Sequence, residues 1–122
     1  MKCGSGCSRR DLVTGRWAIV LWCIPTALII AGMLLPGARA WLWIPSFSIM
    51  GIACIVNARG CGRLHCFITG PLFLLGALAS VLDAFAVVTV DWRLIVAAVG
   101  AGTIAGYALE WIRGKYAGTS VP

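Results

Sequence analysis

Charged residues are scarce in this sequence of 122 residues: they make up 11% of the chain, and only 4 of them are acidic. Hydrophobic residues make up 61%, and the mean hydropathy is +0.95. A soluble domain needs far more polar surface than this composition supplies. The apolar residues also form contiguous runs of membrane-spanning length, where an amphipathic fold would show stripes. The composition therefore excludes a soluble globular domain and predicts an integral membrane protein whose main partner is the lipid bilayer.

Other scarcities exclude or disfavour several functional classes. The chain has a single histidine, so haem bound through two histidines cannot form within one chain. That histidine has no acidic residue near it in the sequence, so no hydrolase triad is predicted and the protein is not expected to be an enzyme. The net charge of +6 does not indicate nucleic-acid binding, because the basic residues lie at the ends of apolar runs.

Four apolar runs predict an all-α fold in which residues 1–122 form a single domain, a bundle of four transmembrane helices. The spans are predicted at about 17–35, 40–56, 67–90 and 94–112, with a polar tail at 1–16 and a polar loop at 57–66. Helices are expected because an open strand cannot satisfy its backbone hydrogen bonds in lipid. The first run exceeds the roughly 7–15 apolar residues of a signal peptide, which favours a retained span over a cleaved leader.

The distribution of Lys and Arg predicts the orientation of the helices. Residues Arg39 and Arg93 fall on one side of the predicted membrane, and the other eight fall on the opposite side: Lys2, Arg9, Arg10, Arg16, Arg59, Arg63, Arg113 and Lys115. Basic residues accumulate on the cytosolic side of membrane proteins. We therefore expect a multi-pass protein of the cell inner membrane, with both termini and the 57–66 loop in the cytosol.

The cysteines are the most informative residues for function. On this topology all six lie in the cytosolic half of the protein or beyond it: Cys3, Cys7, Cys23, Cys54, Cys61 and Cys66. The cytosol keeps thiols reduced, so a disulfide framework is not expected. Reduced thiols gathered on one side are suited to soft metal ions of the Hg, Cu or Zn class.

The loop from Cys61 to Cys66 is the densest candidate site, since it offers two thiols and the imidazole of His65. Flanking arginines would favour the thiolate form, which is the form that binds metal. The predicted metal ligands are Cys61, His65, Cys66, Cys54, Cys3 and Cys7. These spacings are not those of a zinc finger. Two alternatives stay open: Cys23 and Cys54 as small apolar packing residues, and His65 as a contact for lipid phosphate or a backbone carbonyl.

Two further features concern the interiors of the predicted spans. Asp83 is the only charge well inside a span, and with Ser80 it predicts a cation or proton site along a conduit. The alternatives are that Asp83 lies near a helix end and hydrogen-bonds to Ser80 or Thr89, or that its side chain extends outward to the membrane surface. On the fourth span, four residues recur every four positions, Ala98, Gly102, Gly106 and Glu110, and the three small ones are typical of close helix packing.

The segment around the loop also resembles a known motif. Cys61-Gly62-Arg63-x-His65-Cys66 followed by Thr69-Gly70-Pro71 resembles a motif of a family of small prokaryotic membrane proteins. More loosely, the chain is similar to bacterial mercury-transport membrane proteins, which are small helical bundles that use cysteine pairs at the membrane and its cytosolic face. It departs from their pattern because the first span holds only Cys23 and no adjacent cysteine pair.

Three functions follow from these features. The leading hypothesis is that the protein binds a thiophilic metal ion and transports or delivers it, passing the ion to a soluble thiol acceptor. The alternative is an accessory or structural subunit, whose fourth-span stripe docks a larger membrane-protein partner. The third is a thiol redox sensor that uses Cys61 and Cys66.

Overall fold

The computed structural model describes residues 16–114, together with every side chain in that range except that of Cys61. Helix accounts for 87% of these residues, and the described range contains no strand. The helices are α1, Ile24–Leu34, which continues from a π-helical turn at Ile19–Cys23; α2, Arg39–Cys61; α3, Leu64–Ala84; and α4, Trp92–Arg113. A 3-10 turn at Pro36–Ala38 joins α1 to α2. The predicted all-helical class is confirmed.

Three helices are long and apolar enough to cross a membrane, by length and composition: the segments Pro36–Gly60, Leu64–Ala84 and Trp92–Arg113. The first helix, Ile19–Leu34, is apolar but shorter. Its π-helical turn ends two residues before Pro25, whose ring nitrogen has no hydrogen to donate to the preceding turn. Three of the four predicted segments are therefore helices that could cross a membrane, and the first span stays a prediction.

The connection between α2 and α3 is much shorter than the sequence suggests. Residues 57–66 were predicted to form a polar loop, yet α2 continues to Cys61 and α3 begins at Leu64. Gly62 makes the turn possible because its φ of 69° is left-handed, and its N–H donates to the carbonyl of Ala58 at 2.8 Å. Asn57 and His65 are therefore held on helices with buried side chains, whereas Arg59 on α2 is exposed.

The α3 helix also ends earlier than the predicted position 90. The chain leaves the helix after Ala84, and Ala86 has a positive φ of 55°. The next four residues, 87–90, are all β-branched, which disfavours helix. Asp91 then caps α4 by accepting a hydrogen bond from the backbone N–H of Arg93 at 3.0 Å.

The helices pack in the order in which they occur in the chain. The most extensive interface joins α2 to α3, α3 also packs against α4, and α1 packs against α2. Within the range 16–114, α1 and α4 make no direct backbone approach to each other. The core lies between α2 and α3, where Trp43, Phe47 and Phe73 form a chain of ring contacts. The outermost helix α4 is therefore held mainly by α3.

Small residues allow α4 to approach α3 closely. A Cβ added at Gly106 would lie 3.0 Å from the Cβ of His65, and one added at Gly102 would collide with Leu72. Ala98 lines an apolar groove between the two helices together with Gly76 and Ala79. The sequence left open whether the stripe of Ala98, Gly102 and Gly106 packs within the chain or against an external partner. In the structure this stripe faces α3.

Replacing Trp43 should destabilise the fold far more than replacing Trp41. Trp43 is 1% exposed, packs edge-on to Phe47 and Trp92, and donates its indole N–H to the carbonyl of Ile29 at 2.9 Å. We expect Trp43→Ala to lower the free energy of unfolding by roughly 3–5 kcal/mol. Trp41, which is 66% exposed, provides the matched control. Denaturation in detergent micelles measures both variants, and equal losses would contradict this core.

Candidate metal centre

Three helices meet at one end of the molecule around two buried sulfur atoms and one imidazole. Cys54 comes from the last turns of α2, His65 and Cys66 come from the first turn of α3, and the last turns of α4 cover them. Cys54 and Cys66 are 0% exposed, and His65 is 2% exposed. This cluster is named here the Cys54–His65–Cys66 group.

The ligand atoms of the group lie close enough to share one ion. The two sulfurs and a ring nitrogen all lie within 4.8 Å of one another, and Cys66 Sγ lies 3.4 Å from His65 Nε2. An ion about 2.3 Å from each donor requires donors about 4 Å apart, so adjustments of less than about 1 Å would suffice. Two sulfurs and an imidazole nitrogen form a donor set that suits soft and borderline ions such as Cu(I), Hg(II) and Zn(II).

Each sulfur has a polar neighbour in addition to the group itself. Asn57 lies one turn after Cys54 on α2 and points its side-chain amide at Cys66 Sγ, 3.7 Å away. Thr69 Oγ1 lies 3.3 Å from Cys54 Sγ and donates its proton to the carbonyl of His65 at 2.9 Å. Because the Thr69 proton is used in that bond, its oxygen accepts from the Cys54 thiol. The side-chain N–H group of Asn57 would stabilise a thiolate at Cys66 by donating to its sulfur.

A carboxylate from α4 holds the imidazole from the opposite side. Glu110 Oε1 lies 2.6 Å from His65 Nδ1 and accepts from the backbone N–H of His65 at 3.2 Å. Arg63 forms an ion pair with the same carboxylate, with Nε 3.1 Å from Oε1 and Nη2 3.5 Å from Oε2. Glu110 is only 7% exposed, so this contact compensates a charge that would be costly to bury alone.

The same carboxylate completes the start of α3. His65 is the second residue of that helix, where backbone N–H groups have no partner within the helix, and Arg63 provides no side-chain cap. Glu110 accepts one of these hydrogen bonds from a different helix, and its negative charge favours the positive end of the helix dipole. The group is thus tied to the end of α4 through the backbone as well as through side chains.

The α4 helix closes the group on its remaining side. Tyr107 stacks on the His65 ring, with ring centroids 4.3 Å apart and planes inclined by 16°. Gly106 is buried against the backbone of His65, which it can approach because it has no side chain. The imidazole is therefore fixed by stacking and by hydrogen bonds together.

The structure brings together some of the predicted ligands and leaves others outside its description. Cys54, His65 and Cys66 converge. Cys3 and Cys7 lie outside the described residues, and so does the side chain of Cys61. Cys23 is exposed in the π-helical turn and is not part of the group.

The predicted conduit residues lie at the far end of α3. The Ser80 hydroxyl is buried and donates to the carbonyl of Gly76 at 2.8 Å. Asp83 is exposed and accepts from the backbone N–H of Val90 at 3.3 Å, a local bond whose partner differs from the Ser80 or Thr89 that the sequence suggested. Both residues line one small crevice beside Arg39 and Trp92. The conduit itself stays a prediction.

Sequence reasoning missed Glu110 as a member of the site. No acidic residue lies near the histidine in the sequence, but Glu110, which is 45 residues away in the chain, lies 2.6 Å from it in space. The available signal was its spacing, since Glu110 continues the four-residue stripe of Gly102 and Gly106 on α4. Asn57 and Thr69 were missed as well, because their neighbours depend on how α2 packs against α3.

The order of contacts from Cys66 through His65 to Glu110 is that of a nucleophile, a base and an orienting acid. The sulfur nevertheless has no exposed surface on which a substrate could approach. The arrangement is better suited to enclosing a small ion than to attacking a larger molecule.

Comparisons with protein-family models, curated proteins and solved structures found no match for this chain.

Replacing Gly106 by leucine should open the site, whereas the same change at Gly100 should not. A side chain at Gly106 would push against His65, but one at Gly100 meets nothing within 4 Å. We expect Gly106→Leu to make Cys54 and Cys66 react with a maleimide at least about tenfold faster, because α4 no longer covers them. Peptide mass spectrometry identifies the labelled cysteines, with exposed Cys23 as an internal reference. Unchanged protection in Gly106→Leu would contradict the covering role of α4.

Proposed function

We propose that this protein is a small multi-pass membrane protein that binds a thiophilic metal ion through the Cys54–His65–Cys66 group and transports or delivers it. The observation that carries the proposal is the convergence of two thiol sulfurs and one imidazole nitrogen within 4.8 Å in a buried position. Three helices of membrane-spanning length and composition support a location in a membrane.

Delivery of the ion would use the remaining thiols of the chain. In this proposal the group lies near the cytosolic end of the helices, in the inner membrane, with both termini in the cytosol, as the bias of Lys and Arg favours. Cys61 follows Cys54 by two turns of α2, and the tail carries Cys3 and Cys7. A soft ion would pass from sulfur to sulfur by ligand exchange and reach a soluble thiol acceptor. At the other end of α3, Asp83 and Ser80 would provide oxygen ligands along the path.

Metal titration of the purified protein tests the binding step. In a background with serine at positions 3, 7 and 61, we expect one Cu(I), Hg(II) or Zn(II) per chain, detected by thiolate-to-metal absorption for Cu(I) and Hg(II) and by competition with a chelator for Zn(II). Replacing both Cys54 and Cys66 by serine should weaken binding at least about 100-fold, because both sulfur ligands are lost. Cys23→Ser is the matched control, since Cys23 is exposed and outside the group. Equal affinity in all variants would remove the proposed site.

The same variants separate transport from binding alone. Reconstituted vesicles loaded with a thiol-based metal indicator should report ion entry for the complete chain and for Cys23→Ser. Entry should fall to the level of empty vesicles for the Cys54→Ser, Cys66→Ser double variant. A protein that binds the ion but gives no entry would be a metal-binding subunit and not a transporter.

A second candidate is a thiol redox sensor, favoured by the proximity of the Cys54 and Cys66 sulfurs. The sequence paired Cys61 with Cys66 for this role; among the described side chains, Cys54 is the thiol that lies beside Cys66. A hydroperoxide would take two electrons and two protons from the pair as the S–S bond forms, giving an alcohol and water.

Treatment with a hydroperoxide should then yield a Cys54–Cys66 disulfide in peptide mass spectrometry, and bound Cu(I) should protect both thiols. Absence of the bond after oxidation of other cysteines would exclude this candidate. The accessory-subunit alternative has no comparable observation, because the stripe of Gly102 and Gly106 packs against α3.

A further inference from the structure

Glu110 contacts the Cys54–His65–Cys66 group through His65, although it is not one of the three ligand residues. It is a buried carboxylate on α4, a helix that is otherwise largely exposed. Three nitrogen atoms lie within 3.2 Å of its Oε1 atom: Nδ1 of His65, the backbone N of His65 and Nε of Arg63. Among the described residues, its Oε2 atom has a longer contact, with Nη2 of Arg63 at 3.5 Å. One oxygen is thus surrounded by donors.

This geometry determines which nitrogen of His65 carries hydrogen. An ionised carboxylate paired with Arg63 can only accept, so a nitrogen 2.6 Å from it must donate. Nδ1 therefore carries the hydrogen, and in the neutral ring Nε2 has a free lone pair. Nε2 is the nitrogen that lies 3.4 Å from Cys66 Sγ. The lone pair consequently points toward the sulfurs.

We propose that Glu110 is a positioning residue for the metal site: by accepting from Nδ1 it fixes the ring and the tautomer of His65, so that Nε2 is presented to the ion beside Cys54 and Cys66. This inference rests on the proposed metal-binding function. Carboxylates that orient metal-binding histidines in this way raise the basicity of the ligand nitrogen. Tyr107 supports the same orientation by stacking on the ring.

The alternative is that Glu110 only joins helices. A carboxylate that caps α3 and pairs with Arg63 would stabilise the fold whichever nitrogen of His65 carried hydrogen. A test must therefore read the state of the imidazole in addition to stability. The chain offers a clean signal for this, because it contains a single histidine.

Two substitutions separate the roles. Glu110→Gln keeps a carbonyl oxygen at the Oε1 position, where three donors point, and places its NH2 group at the Oε2 position, whose contact among the described residues is Arg63 Nη2 at 3.5 Å. Glu110→Leu removes every acceptor and keeps a side chain of similar volume. Glu110→Gln is thus the conservative variant that should retain the tautomer, and Glu110→Leu the variant that should lose it.

Nitrogen-15 NMR of histidine-labelled, metal-free protein gives the first readout. At a pH where the ring is neutral, we expect the Nδ1–H tautomer in the wild type and in Glu110→Gln. Glu110→Leu should show a mixture dominated by Nε2–H, the form usually preferred by a free imidazole. The Nε2–H tautomer in the wild type, or an unchanged tautomer in Glu110→Leu, would overturn the inference. The wild-type spectrum decides even if Glu110→Leu does not fold.

Affinity for Cu(I) gives the second readout. We expect a loss of about 10–100-fold in Glu110→Leu and of no more than a few-fold in Glu110→Gln. If Glu110 only connects α4 to α3, both variants should have a lower thermal midpoint of unfolding, and the tautomer of His65 should be unchanged. If the wild type binds no Cu(I), Hg(II) or Zn(II), the proposed function fails. The tautomer measurement would still decide whether Glu110 orients His65, so the two failures are distinguishable.

Discussion

The contact of the Glu110 carboxylate with Arg63 and His65 is the interaction on which this end of the molecule depends. Removing one partner of a buried ion pair typically costs about 3–5 kcal/mol, because the other charge is left uncompensated. Here the carboxylate also caps α3 and holds an imidazole nitrogen. A single buried acid on α4 therefore stabilises the start of α3 and the geometry of the site together.

The turn between α2 and α3 and the close approach of α4 to α3 bring Glu110 into contact with Arg63 and His65. Gly62 reverses the chain within two residues, so that the end of α2 and the start of α3 lie side by side. This turn places Cys54 beside Cys66. Gly106 then lets α4 approach the backbone of His65. Each step relies on a glycine, since a side chain would be strained at Gly62 and would crowd His65 at Gly106.

Sequence reasoning predicted the composition of the site better than its shape. Cys54, His65 and Cys66 were all among the predicted ligands, because thiols and an imidazole are recognisable by type. The segment that contains two of them was wrongly expected to be a loop, because charged and polar residues usually face water. Arg63 and His65 are instead buried and paired. The acid that pairs them lies 45 residues further along the chain, where local patterns give no information about contacts.

The sequence by itself determined the helical class, the presence of three apolar helices long enough to cross a membrane, and the soft donor chemistry, since all of these follow from composition and hydrophobic run length. Only the tertiary structure decided that Cys54 joins His65 and Cys66, that the small-residue stripe of α4 faces α3, and that Glu110 meets the imidazole. The physical reason is that hydropathy is a property of each segment, whereas a coordination site depends on the register between segments. That register is set here by a left-handed glycine, a close glycine contact and a buried ion pair.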